Sequence, residues 1–192
     1  MEAYRIRQKG KDIYQTTVRA KDIIASCDID RWSKSRTEGY QRALAKARVS
    51  RAVKYLKEED GLYPTSVLLN VRSTINFKPS SEASDGEWGI LTIPDESLPL
   101  WIIDGQHRIE SLREAIAENS EFEDYPLPVS IFNLSNSFDE MRMFYIVNSR
   151  QRSVPTDLAL HHLHRTILEK GRHTVLPYES EQKVLAAESI DI

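Results

Sequence analysis

Apolar and polar positions along this chain switch between two periods. Short apolar runs bounded by turn residues read as strands, and apolar residues recurring every three or four positions read as amphipathic helices. The strand pattern covers Asp12 to Val18, Val67 to Val71, Trp88 to Ile93, Leu98 to Ile103 and Leu127 to Phe132. Val67 to Val71 is apolar on both faces, which predicts a central strand. Pro128 predicts an edge position or a strand start for the last run. The helical pattern takes in Ile23, Ile24 and Cys27; then Val49, Ala52, Val53 and Leu56; then Ile109, Leu112 and Ile116. It resumes with Met141, Phe144, Tyr145 and Val147, and again with Leu158, Leu160, Leu163 and Ile167. Thr37 is placed to cap a helix that includes Tyr40 and Leu44, and Gly61 to end it. Asn119 suits a helix C-terminus, Ser137 and Glu140 have capping-box spacing, and Pro155 can open the last helix. Ser33 to Thr37, Ser80 to Gly86 and Glu118 to Asp124 read as polar loops.

The 192 residues suffice for one domain plus a small appendage, and 40% hydrophobic against 29% charged residues predicts a packed soluble core. One cysteine, Cys27, excludes an intrachain disulfide and a cysteine-based zinc site. Cys27 reads as a small core residue, and the composition fits a reducing, cytoplasmic setting. No apolar leader and no run of membrane-spanning length occurs.

Charge changes the picture once it is divided. The net charge is −3, yet residues 31–57 hold nine Lys and Arg against Glu38 alone. That segment carries +8 and the remainder −11. A basic surface on an acidic body predicts a polyanionic partner, with Arg42, Lys46, Arg48 and Arg51 as DNA contacts. A solvated helix paired with neighbouring acids is the plainer alternative.

Trp101-Ile102-Ile103-Asp104-Gly105-Gln106-His107-Arg108 is the most informative stretch. A buried strand runs into a glycine turn and then a helix whose first N–H groups and positive dipole end face outward. His107 and Arg108 add donors there, and the combination favours a phosphate or another anion. The alternative is structural: Asp104 caps the helix and Arg108 pairs with a nearby carboxylate.

The Asp-Gly-Gln-His-Arg string resembles the signature of the DGQHR-domain family, which includes the DndB proteins of DNA phosphorothioation systems. Further stretches match in order. Gly39-Tyr40-Gln41-Arg42 with Arg48-Val49 and Tyr55-Leu56 is similar to the upstream family region, and Pro64 leading into Val67 to the strand that follows it. Ile146-Val147-Asn148-Ser149-Arg150-Gln151-Arg152-Ser153-Val154 is similar to a later family element. The resemblance spans about 38–160 and implies an α+β, ParB/sulfiredoxin-like fold, a small mixed sheet flanked by helices. The expected division is a DGQHR domain over 1–160 and a helical extension over 161–192. Family members are longer, so the chain reads as a minimal or truncated copy.

The resemblance implies that Asp104, Gly105, Gln106, His107 and Arg108 hold a phosphate, of ATP or another NTP with Mg²⁺ or of DNA. Asp104 would hold the metal through water or orient His107. Arg42, Arg48, Arg150 and Arg152 would add phosphate or DNA contacts, and Asn148 would order the second loop. Two functions follow. One is a DNA-binding regulator or accessory protein of a DNA-modification or defence system, working with other modification proteins or with copies of itself. The other is a nucleotide-hydrolysing switch of the ATPase or CTPase type. A ParB-type nuclease is the least supported, because no carboxylates cluster to bind two metals. His161, His162, His164 and His173 read more simply as surface histidines than as a metal site. Trp32, Trp88 and Trp101 read as core or interface aromatics.

Overall fold

The computed structural model describes residues 1–31, 41, 44–58, 61–150, 164, 167 and 168, with the side chains of 149 and 150 left aside. The chain divides into two units, Met1–Asn148 and Ser149–Ile192. All strands of the described residues lie in the first. They are β1 (Glu2–Gln8), β2 (Lys11–Arg19), β3 (Cys27–Asp28), β4 (Val67–Asn70), β5 (Asn76–Ala83), β6 (Gly86–Thr92), β7 (Leu100–Asp104) and β8 (Pro126–Phe132). The α-helices whose bounds fall within the described residues are α1 (Ala20–Ser26), α2 (Lys46–Leu56), α3 (Gln106–Glu118) and α4 (Ser137–Arg150). Strands and helices thus mix in one α+β unit, as expected, around a single eight-stranded sheet ordered β3-β7-β4-β8-β2-β1-β6-β5. Parallel pairs (β3/β7, β4/β8) occur among antiparallel ones, so the sheet is mixed.

Two expectations about strands need correction. Ser80 to Gly86 is not a loop: β5 and β6 pair as a hairpin across Ser84-Asp85, with a register shift between Pro79 and Ser81. Polar residues suit β5 because it is the sheet edge and is largely exposed. Pro128 is neither a strand start nor on an edge: it is the third residue of β8, opposite Thr17, and β8 sits between β4 and β2. β1 went unpredicted because charged residues alternate through Tyr4-Arg5-Ile6-Arg7. Its hairpin to β2 turns on Lys9 and Gly10, with φ of 47° and 78°.

The sheet buries both faces unequally. The larger core joins Val67, Leu69, Ile102, Leu127, Val129 and Ile131 to Ile23 of α1 and Ile109, Leu112 and Ala115 of α3. Each large apolar side chain here contributes about 1.5–3 kcal/mol by leaving water. On the other face Ile103, Phe132 and Leu134 meet Met143 and Phe144 of α4.

The helix expected from Thr37 begins only at Lys46. Gln41 makes a bridge with Arg31, and Ala45 is extended at φ −81° and ψ 101°. Thr37, Gly39 and Tyr40 lie outside the described residues. α2 ends at Leu56, and Gly61 lies so close to its last turn that a side chain there would meet the Tyr55 and Leu56 carbonyls. Ser137 does not form a capping box with Glu140. Asn136 precedes the helix, its Oδ1 accepts the Asp139 N–H at 2.9 Å, and Glu140 turns into the core.

Candidate anion-binding corner

Asp104 ends β7, and Gly105 turns the chain into α3 with φ 100° and ψ 12°. That left-handed conformation favours glycine. The space also demands it, since a Cβ there would lie 2.9 Å from Val67 Cγ2 and 3.1 Å from Arg108 Nη2. α3 then starts at Gln106, and its first-turn N–H groups have no carbonyl within the helix.

Arg108 closes the corner rather than facing outward. Nη1 donates to the Thr65 carbonyl and to Thr65 Oγ1 at 2.7 Å, and Nη2 to the Ser66 carbonyl at 3.3 Å and Asp104 Oδ2 at 3.1 Å. The guanidinium ties the segment before β4 to the β7–α3 turn. Ser111 Oγ donates to the Arg108 carbonyl and shares a 2.6 Å hydrogen bond with the Tyr63 hydroxyl.

Two polar atoms in this first turn are different. His107 Nε2 and Gln106 Oε1 are buried with no hydrogen-bond partner among the described residues. Burial holds the His107 imidazole below the ordinary histidine range, the Arg48 charge pushes it further down, and Asp104 opposes both. The Arg48 charge therefore reaches His107, although the two residues are 59 positions apart in sequence.

α2 brings most of its basic residues to one side. Val49, Val53 and Leu56 are buried, while Arg48, Arg51 and Lys54 turn away from them and Lys46 is exposed in the first turn. Arg51 Nε donates to the Ala47 carbonyl at 3.2 Å, and the Tyr55 hydroxyl to the Leu62 carbonyl at 2.8 Å. Tyr55 is thus tied to the chain beyond its helix. Arg42 and Arg152 lie outside the described residues. Asn148 and Arg150 are helical in α4 rather than in a loop, and Asn148 Nδ2 donates to the Phe144 carbonyl at 2.8 Å.

A buried polar network beside β7 escaped sequence reading. Arg72 donates to Glu140 from Nε (2.8 Å) and Nη2 (2.6 Å), and to Asp30 Oδ2 at 2.6 Å. Asn70 Nδ2 donates to Glu140 Oε1 at 2.6 Å and to the Leu134 carbonyl at 2.9 Å. The Arg72 guanidinium lies 4.0 Å over the Trp101 ring. Burial opposes its charge, but the bonds to Glu140 and Asp30 outweigh burial and raise its pKa. Gln41, fully buried, donates to the Ile102 carbonyl of β7. The available signal was polar Asn70 and Arg72 at the end of an otherwise apolar strand.

Among the described residues no group of three His, Cys, Asp or Glu could hold a metal ion. His164 is buried, and His161, His162 and His173 lie outside the described residues. Burial pushes the Cys27 thiol up to about 11, in keeping with a core residue. Trp88 is 52% exposed, its ring 4.9 Å from that of Tyr4. No described helix is long and apolar enough to cross a membrane.

Fold and corner together define an α+β protein in which a strand–glycine turn–helix junction packs next to a cationic helix. The chain belongs to the DndB family, described as DNA-sulfur modification-associated, whose family model matches residues 1–171. Its association is therefore with DNA modification. No curated protein matches the chain. Among solved structures it is similar to the C-terminally truncated chromosome-partitioning protein ParB from Caulobacter crescentus, complexed with CTP-gamma-S. The identity is 12% and the TM-score 0.43, over 90% of this chain and 69% of that one.

Proposed function

We propose that this chain is a cytoplasmic DNA-binding accessory or regulatory protein of DNA-sulfur modification, and that the β7–α3 corner takes a phosphate of DNA or of a nucleotide. The observation that carries the reading is the pair of buried, unpartnered atoms His107 Nε2 and Gln106 Oε1 in the first turn of α3. Buried polar groups ordinarily have partners, and a helix N-terminus makes an anion the favoured one. His107, the Gln106 and His107 amides and Arg48 would meet phosphate oxygens, and Gln106 Oε1 would accept from a hydroxyl or water of the bound group.

Arg108, already bonded to Thr65, Ser66 and Asp104, would set the shape of the corner rather than supply the main contact. The residues fit a nucleotide phosphate; a Mg²⁺ brought with an NTP would sit near Asp104 through water. Lys46, Arg48, Arg51 and Lys54 would lie along a DNA backbone, with Arg42 and Arg150 as further sequence-based candidates. Asn148 and Arg152 keep the same standing for the phosphate.

The test is calorimetric titration of wild type, His107→Ala and Arg48→Ala with ATP or CTP plus Mg²⁺, and separately with a 20-base-pair duplex. Arg48→Ala is expected to weaken duplex binding and lower its salt slope by about 1. His107→Ala is expected to weaken binding of the phosphate ligand. Unchanged affinities in both variants would remove the reading. Arg108→Ala is a poor probe, because it releases the Thr65–Ser66 segment as well.

A further inference from the structure

The outer face of α4 is apolar where a surface helix is ordinarily polar. Phe138, Met141 and Tyr145 share one side of the helix and are 75%, 43% and 67% exposed, and Ile146, 42% exposed, lies beyond them toward Met143. The other side already carries Glu140, which is buried, and Phe144, which packs on the sheet. Single exposed apolar residues are ordinary; a helix apolar on both sides is a surface that another chain can cover.

Ile146 and Met143, with Leu134, floor a groove of about 580 Å³ between α4 and the β1–β2 hairpin. Gln8, Lys9, Lys11, Asp139 and Arg142 form its rim. The left-handed turn at Lys9 and Gly10 places the two lysines at the hairpin tip. Lys9, Lys11 and Arg142 form no ion pair among the described residues, whereas nearby Arg5 and Arg7 pair with Glu87 and Asp12. The single acid of the rim, Asp139, accepts from Asn136 Nδ2 at 3.3 Å. The groove thus has an apolar floor and a rim of three cations against one acid. It flanks β1 and β2, three strands away from β7, and is independent of the anion-binding corner.

We propose that this groove docks an acidic amphipathic segment of a partner protein. Its apolar side chains would rest on Leu134, Met143 and Ile146, and its carboxylates beside Lys9, Lys11 and Arg142. The unpaired cations select the sign of the partner's charge. The apolar floor selects a peptide over nucleic acid, because a phosphate backbone would leave that floor uncovered. The space takes about three or four side chains, the number of anchors a helix in a groove presents.

The experiment selects a display library of random 16-residue peptides on the full chain and measures the enriched peptides by fluorescence anisotropy. The proteins are wild type, Lys9→Glu/Lys11→Glu, Ile146→Asp, and Lys78→Glu as a charge-matched control on the exposed edge strand β5. Enriched peptides are expected to be net negative, with apolar residues three and four apart. Affinity is expected to fall at least tenfold in the double variant and in Ile146→Asp, and to hold in Lys78→Glu. No enrichment, or affinity unchanged in the first two variants, overturns the proposal. A 20-base-pair duplex is the second probe. If the double variant loses duplex affinity while peptide affinity stays, the patch is a nucleic-acid contact and the proposal falls. Should Ile146→Asp fail to fold, the exposed lysine pair alone decides.

Discussion

Arg72 meets the fully buried Glu140 carboxylate through two hydrogen bonds, Nε to Oε1 at 2.8 Å and Nη2 to Oε2 at 2.6 Å. This pair pins α4 to the end of β4, with Asn70 bonded to the same carboxylate. Breaking a buried pair by removing one partner strands the other charge in a poorly solvated place. Arg72→Ala, which takes the cation from both the Glu140 and the Asp30 carboxylates, is therefore expected to lower stability by about 3–5 kcal/mol, read from urea unfolding. A loss below about 1 kcal/mol would show that the pair only breaks even with its desolvation.

Gly105 and Gly10 share a positive φ but differ in surroundings, and alanine substitution separates the two effects. At Gly10 no atom lies within 4 Å of an added Cβ, so Gly10→Ala carries only the conformational cost, about 1–2 kcal/mol. At Gly105 the added atom presses on Val67 and Arg108 as well, and the expected loss is about 2–4 kcal/mol. Thermal unfolding of the two variants side by side gives the comparison. Equal losses would mean that Val67 moves aside freely.

The environment of His107 sets a pH dependence with two signs. Its pKa is lowered in the fold, chiefly by burial, so the neutral ring is favoured there. Its contribution to stability is complete above the ordinary histidine pKa of about 6.5 and is lost as pH falls through the lowered folded value. A bound phosphate favours the imidazolium and acts in the opposite sense. Sulfate, an oxyanion whose charge is constant over this range, should therefore bind several-fold more tightly at pH 6 than at pH 8 in wild type, by calorimetry. The same ratio should be close to one in His107→Gln. Equal pH dependence in both proteins would remove His107 from the site.

At the start of α4 the cap lies one residue earlier than the Ser137–Glu140 spacing suggests. Asn136→Ala removes the acceptor for the Asp139 N–H and should cost about 1 kcal/mol, while Ser137→Ala should be near neutral. Urea midpoints of both variants check the assignment, and the opposite order would restore the serine.

What could be read from the sequence was whatever rests on strong local pattern. Val67, Leu69 and Val71 mark a buried strand by apolar run alone, and Ile109 and Leu112 mark the inner face of α3. Gly105 marks the turn between the strand and helix that frame the site. Elements whose residues serve long-range pairing were harder. β1 carries arginines because its charges pair with Asp12 and Glu87 on neighbouring strands, which no short window reveals. Ser137 and Glu140 have capping spacing, yet Glu140 is claimed by Arg72, 68 positions away. In the candidate site the turn was legible, but the engagement of Arg108 depends on Thr65 and Ser66, and the surroundings of His107 depend on α2. Those are products of packing, not of spacing.

The position of β8 has a consequence for how the chain comes off the ribosome. β4 and β2 are not neighbours; β8 alone joins them, pairing with β4 in parallel and β2 antiparallel. Until Phe132 has been synthesised, the nascent chain can form β1–β2 and β5–β6 as hairpins and pair β4 with β7. These remain two separate sheets, each with an open edge next to the missing strand. Closure is therefore a single late event that joins residues synthesised far apart, and such non-local pairing is slow and leaves unpaired edges exposed meanwhile. A pause before residue 126 would hold the chain in its most association-prone form, and completion of seven residues ends that exposure.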